Sequence, residues 1–437
     1  MHFLVRARTF VLGVPRDMSY EHCPLAPADV RSGLRLSLIE GVFSQVHITL
    51  TAGAFLTGFA LLLGAGNTTL GIAAALPFLI QPLQLFAAWL IERLGTRKRI
   101  AVWGSLGRAF WLPLVILPYL PLSTSQRLVL FVVTLLICHA LLAVCTNAWT
   151  NWMTDLVPPR QRGRYFGVRN TALAASAMVV NAGAGMWLDY MRKVGRATDG
   201  YALLFGIGVL CSAIATILLA RQPEPPMQSR TRLPLADVLR IPWHTPGFRQ
   251  FMLAMMVWNL ALGTATSFFS AHALQVLRIP FTTLALFDVV TSAISLLTLP
   301  LWGRVADRYG HRRVLIACMT GVLFLPWCWV ITTPTTLWIL FANAVISGIW
   351  WPGLVLAQSN RLMEQVPTEA RGAYLALFGA TTGIAYFGAS SIAGGLADLL
   401  ANIRWTLGPL QINNYQTLFI IGSLLRCSVV LFWRKAL

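Results

Sequence analysis

Glu40, Ser44, His47 and Thr51 recur at three- and four-residue spacing inside the apolar stretch 36–64, which sets them on one side of a helix. Ionisable groups at membrane depth are costly and are functional candidates for that reason. Glu40 and His47 can each take up and release a proton, so the chemistry they suggest is proton exchange. Glu40 lies near one end of its stretch, where simple hydration is the competing reading. Two further charges stand inside apolar stretches, Arg108 in 100–121 and Asp288 in 281–302. For both, a structural ion pair, a contact to a solute and a part in coupling stay open, with structure ranked first for Arg108.

Three more polar faces have helical spacing: His139, Asn147 and Thr150; Asn259, Thr266 and Ser270; and Asn343, Ser347, Trp351 and Gln358. A single Asn, Ser or Thr at such a place ordinarily makes an interhelical hydrogen bond, and Trp351, like Trp350, reads first as packing. Arg426 reads as a cation that snorkels toward a membrane surface. The seven cysteines show no paired spacing, and six lie in or beside apolar stretches, so they read as small buried hydrophobes and no metal site is expected. There is no Gly-rich phosphate loop, no HExxH and no GxSxG. The reading therefore assigns no catalytic residue and no cofactor, and it leaves ATP-driven transport unsupported. A membrane-embedded transferase would have to draw on His47 and His139, with His272 nearer the outer end.

These residues need elements to hold them. Of 437 residues, 57% are hydrophobic and 11% charged, and the mean hydropathy is +0.67. A soluble domain carries roughly 25% charged residues, so this chain is dissolved mostly in lipid. At about 20 apolar residues per crossing, twelve stretches qualify: 36–64, 68–91, 100–121, 127–153, 168–188, 200–220, 248–273, 281–302, 314–332, 335–360, 373–397 and 415–433. The net charge of +19 is no footprint of nucleic acid, because the cations sit between the stretches and no nucleic-acid motif accompanies them. Counted over tails and alternate loops, 27 of the 34 Lys and Arg fall on one side and six on the other, with Arg108 inside a stretch. The cation-rich side is cytoplasmic, and both termini are expected there. Arg outnumbers Lys by 31 to 3, which suggests a GC-rich bacterial genome and hence the bacterial inner membrane.

Six prolines in 221–247 break any continuous helix and leave at most a short turn at 235–241. This linker divides a cytoplasmic tail (1–32) and a first bundle (33–220) from a second bundle (248–437). An internal repeat supports that division. Asn151, Asp155, Val157, Pro158, Arg162, Gly163, Tyr165, Gly185 and Asp189 recur 209 residues later as Asn360, Glu364, Val366, Pro367, Arg371, Gly372, Tyr374, Gly394 and Asp398.

The loop between the eighth and ninth stretches reads Gly303-x-x-x-Asp307-Arg308-x-Gly310-x-Arg312-Arg313, and a copy 215 residues earlier reads Ala88-x-x-x-Glu92-Arg93-x-Gly95-x-Arg97-Lys98. The pattern resembles the signature loop of the major facilitator superfamily. Ala88 and Glu92 depart from it, where the family has glycine and aspartate. The resemblance covers about residues 33–434 and implies an all-α integral membrane fold: twelve transmembrane helices in two pseudo-symmetric six-helix bundles. It implies that stretches one, four, seven and ten line a central cavity. It also implies a charge network, with Arg93 and Arg97 near Asp155, and Arg308 and Arg312 near Glu364. Glu92 facing the helix that opens at Arg371, and Asp307 facing the one that opens at Arg162, would latch the halves; plain anchoring of cationic loops to headgroups is the alternative.

The function implied is secondary transport of a small solute by alternating access. Proton coupling and facilitated diffusion both stay open. The expected partners are a small-molecule substrate, protons where coupling operates, and the lipid bilayer, with no nucleic acid, and the protein is expected to be a monomer. Efflux of amphipathic compounds ranks second, weakened because Asn181-Ala-Gly183-Ala-Gly185 lacks the proline of the drug-antiporter motif. A non-transporting scaffold or sensor on the same fold is the third reading.

Overall fold

In lipid a chain must satisfy its backbone internally, which here means helices. The computed structural model describes residues 25–227, 242–367, 371–407 and 410–433. The expected tail up to residue 24 and the linker turn at 235–241 lie outside the described residues.

Ten helices are long and apolar enough to cross a membrane, and an eleventh crossing is the pair Pro27–Leu50 and Gly53–Leu62, bent by 41°. The bend has local causes. Thr51 Oγ1 donates to the His47 carbonyl at 2.7 Å, and Gly53 has φ +57°. The stretch expected at 68–91 is two helices, Asn67–Leu79 and Leu83–Leu94, interrupted where Pro82 has no N–H to give. With that broken crossing, the spans are numbered one to twelve. Spans three to six are Arg97–Tyr119, Thr124–Leu156, Pro159–Lys193 and Ala197–Arg221. Spans seven to twelve are Pro246–Gln275, Phe281–Tyr309, His311–Ile331, Trp338–Glu364, Tyr374–Leu399 (the helix itself opens at Arg371) and Asn414–Phe432. The last two are joined by a short antiparallel hairpin, Trp405–Leu407 with Leu410–Ile412, which is absent from the sequence reading.

Within each half the helices meet through small residues and carbonyl acceptors. Thr298 and Trp302 of span eight donate to the carbonyls of Gly348 and Ile349 in span ten, at 2.8 and 2.6 Å. Asn343 donates at 2.8 Å to the carbonyl of Leu325, where span nine is broken. Arg426 is buried, with Nη1 3.4 Å from the Val322 carbonyl at the same break, and Ser423 donates to Leu323 beside it. Arg426 therefore serves the broken helix and does not snorkel to the surface. Among the described residues the halves meet mainly along two helix pairs, two with eleven and five with eight, with a smaller contact of span one against spans seven and eight at the far end. The repeat relates these pairs, since span two corresponds to eight and span five to eleven. Loops 92–98 and 303–313 lie at one end of the bundle, the motif end; the opposite end is called the far end.

Gly104 shows how tightly the first half is packed. A Cβ there would stand 2.7 Å from the Leu141 carbonyl and 2.8 Å from the Cys145 nitrogen, both backbone atoms of span four. A Cβ on Gly206 would meet open space. Gly104→Ala should therefore destabilise the protein by about 1–3 kcal/mol through overpacking, while Gly206→Ala should be neutral or slightly stabilising. Thermal unfolding in detergent reads the difference, and equal melting temperatures would refute this account of the three–four contact.

Candidate functional site

The far end is closed by two aspartates that each complete a helix of the other half. Asp189, near the end of span five, accepts from the Phe281 N–H at 2.8 Å through Oδ1. Its Oδ2 accepts from the N–H and hydroxyl of Thr282 at 2.8 and 2.6 Å. Asp398, at the corresponding place in span eleven, accepts through Oδ1 from the N–H and side-chain amide of Asn67 at 3.0 and 2.8 Å. Its Oδ2 accepts from the N–H and hydroxyl of Thr68 at 2.9 and 2.6 Å. The residues before these two helices, Gly66 and Pro280, provide no side-chain cap. A helix start leaves four N–H groups unpaired and carries the positive end of the dipole. Each half thus supplies the missing cap, and a compensating charge, to the other.

The glycine one turn before each aspartate permits the approach. A Cβ on Gly185 would meet the Phe281 carbonyl at 2.9 Å, and one on Gly394 the Asn67 carbonyl at 2.7 Å. Below this layer Ser390 donates to the Gly71 carbonyl at 2.8 Å, and the rings of Phe78 and Tyr386 stack 3.8 Å apart. The sequence reading found Gly185, Asp189, Gly394 and Asp398 as repeat partners but gave them no role. Their position at the far ends of corresponding helices was the available signal.

The centre is asymmetric. Glu40 of span one lies 3.7 Å from Arg169 Nη2 of span five, and that guanidinium sits over the Trp149 ring of span four at 4.4 Å. Gly41 leaves the room, since a Cβ there would stand 2.6 Å from Arg169 Nη2. Arg108, in the 3-10 segment Leu106–Phe110 of span three, lies within electrostatic reach of both Glu40 and His47. His47 Nδ1 is 3.1 Å from the Gly208 carbonyl, which can only accept, so Nδ1 carries the proton and ties span one to span six. His139 is half-buried, within electrostatic reach of His47. By sequence alone Arg169 counts among the loop cations.

The other candidates form no single cluster. Asn147 and Asn259 are engaged within their own helices, Asn147 with Asn151 and Asn259 with the Met255 carbonyl. Asn343 serves span nine, Trp351 packs against the core of the second half, and Gln358 is half-buried. Asp288 accepts from Asn181 Nδ2 at 3.0 Å, a contact between spans eight and five and so across the halves.

At the motif end, Arg97 is 2% exposed and bonds Asp155 of span four. Glu224 of the linker, not anticipated from sequence, caps span three by accepting from the N–H groups of Arg97 and Lys98 and from Thr96 Oγ1. Gly95 and Gly310, with φ +64° and +85°, make the two turns in the left-handed backbone that the motif glycine permits. Several expected pairs are replaced by others. Arg93 lies over Trp89 rather than at Asp155, and Arg308 over Tyr309 rather than at Glu364. Glu364 is met by Arg361 at 3.0 Å, with His311 at 3.9 Å. Arg162 donates to the carbonyls of Thr154 and Val157 in its own half. Asp307 is exposed and has no ion-pair partner among the described residues. The side chain of Arg371, the expected counterpart of Glu92, lies outside the described residues, and Gly163, Gly167 and Gly303 have no atom within 4 Å of an added Cβ.

Known proteins resemble this chain at two levels. The Escherichia coli (strain K12) shikimate transporter is 25% identical over 178 residues, and the match spans 40% of this chain and 38% of that protein's length. Among solved structures, the nucleoside transporter NupG superposes with a TM-score of 0.66 at 12% identity, covering 92% of this chain and 98% of NupG. A bacterial homologue of the iron transporter ferroportin in its inward-facing state gives 0.68 at 13% identity, covering 94% and 99% of the two chains. In its outward-facing state that homologue gives 0.55 at 14% identity, covering 93% and 98%. These likenesses establish the fold. The sequence profile of the Major Facilitator Superfamily matches residues 41–288 and 262–435, through both halves and the repeat that relates them, and the chain belongs to that superfamily.

Proposed function

We propose that this protein is a secondary transporter that carries a small polar organic solute across the bacterial inner membrane by alternating access. The observation that carries the reading is the one-sided closure. Two repeat-related aspartates join the halves at the far end, while glycines at the motif end face open space. The cation bias supports placing the motif end in the cytoplasm with both termini, so this conformation is inward-facing. The higher TM-score with the inward-facing ferroportin homologue supports the same assignment. The partial relative is named as a shikimate transporter, in keeping with a small polar cargo. Glu40 is the group we assign to proton exchange, because it is the one carboxylate among the central charges described in the first half. Both gates are built within one chain, so the unit of transport is a monomer.

In the outward-facing state Asp307 lies by the helix start at 162–164 and Glu92 by the start at Arg371. Mutations at the two ends must then act with opposite sign. Asp398→Asn loses one acceptor at the far gate and destabilises the inward-facing state. Asp307→Asn leaves this state untouched and weakens only the other. A hydrogen bond to a charged group contributes about 1.5–3 kcal/mol before screening by water, and about 1.4 kcal/mol changes a population ratio tenfold. Spin labels across the far end should move apart in Asp398→Asn and in Asp189→Asn, and those across the motif end should move apart in Asp307→Asn. Distances that match wild type in all three variants would sink the two-gate scheme.

The orientation has its own test. In a background lacking reactive native cysteines, Thr124→Cys should react with an impermeant thiol reagent applied outside intact cells, and Gln161→Cys should not. The reverse pattern would turn the protein over, and with it the assignment of the inward-facing state.

A further inference from the structure

Arg108 is 8% exposed, and its Nε and Nη1 have no hydrogen-bond partner among the described residues. Nearby, Arg169 Nε and Trp149 Nε1 are likewise buried without an acceptor. Glu40 is the carboxylate in electrostatic reach of both guanidinium groups, and its Oε2 makes only the long 3.7 Å approach to Arg169. Two guanidinium charges therefore share a single carboxylate. His47, in the same electrostatic neighbourhood, is tied as a donor to Gly208 and brings no negative charge. The Trp149 face attracts the Arg169 cation but brings no counter-charge. A buried charge without a partner is costly.

The backbone around Arg108 is also unusual. Span three runs as a 3-10 segment at 106–110, pressed onto span four through Gly107. Irregular backbone at membrane depth is tolerated where it is buried in protein or lines a solute site.

We propose that Arg108 and Arg169, with Glu40 and the Trp149 N–H, form an anion site in the first half, and that the cargo it takes is a small organic acid. The carboxylate supplies the missing negative charge and accepts from the guanidinium N–H groups, for which arginine forks are suited. This deepens the transport reading and rests on it.

The test uses purified wild-type protein and the variants Arg108→Met and Arg169→Met. Arg108→Met leaves Glu40 and Arg169 as a balanced pair, so without added anion it should melt at or above the wild-type temperature. Millimolar benzoate, lactate or succinate should raise the wild-type melting temperature, because a ligand of the folded state stabilises it. The matching amides should not, inorganic phosphate should do so less than the best acid, and both variants should lose the rise. A lower melting temperature or loss of folded protein in Arg108→Met would make Arg108 structural and overturn the proposal. So would equal shifts from acids and amides, a phosphate shift as large as the best acid's, or no shift from any acid. The spin-label distances across the gates are independent of these melts. If the gates move as expected while the acids fail, only the anion assignment falls.

Discussion

The structure depends on a helix start that cannot cap itself. Spans two and eight begin at the far end after Gly66 and Pro280, neither of which offers a side-chain acceptor. Their first N–H groups are satisfied by Asp398 and Asp189 from the opposite half. Backbone groups near lipid have few alternatives, and the dipole adds a preference for negative charge. The halves are thereby joined by a need that each helix has on its own account. Separating them at this end leaves the first N–H groups of both helices to be satisfied by water alone.

Close backbone approach makes these contacts short. Gly71, Gly383 and Gly394 set the backbones of spans two and eleven against each other, with an added Cβ placed 2.4–2.7 Å from a carbonyl oxygen in each case. Gly185 does the same for spans five and eight. At the motif end Gly163, Gly167 and Gly303 lie on the same paired helices but face open space. On the alternating-access reading, small residues at both ends of one helix pair let the same surfaces close at either end by rocking. Bulky residues at the motif end would hold it open permanently.

Much of this was legible in the sequence, and the remainder was hidden for identifiable reasons. Hydropathy gave the crossings and the repeat gave the two halves, because both depend on residue type along the chain. Arg97 and Asp155, placed together by the family pattern, are in contact. Counting cations cannot report depth, so Arg169 read as a loop residue although it pairs with Glu40 inside the first half. Asp189 and Asp398 looked like ends of helices; that each caps a helix of the other half is a tertiary fact. Glu224 sits in a proline-rich linker, and nothing local says that it folds under span three to cap it. The hairpin at 405–412 has strands of three residues, too short for alternation to show.

The repeat also separates what the two halves share from what they do not. At the 209-residue offset the gate residues are kept, glycine for glycine and aspartate for aspartate. At the same offset Arg169 corresponds to Phe378, and at the 215-residue offset of the signature loops Arg108 corresponds to Leu323. Both counterparts are buried in the apolar core of the second half. A gate formed between pseudo-symmetric halves needs its parts twice, because each half must cap the other. A solute has no such symmetry, and a charged site on the axis of a duplicated protein would meet its own copy and be repelled. On the proposed reading, Arg108 and Arg169 in the first half, answered by Leu323 and Phe378 in the second, would give an asymmetric solute one orientation while the repeat-related aspartates keep the far end symmetric.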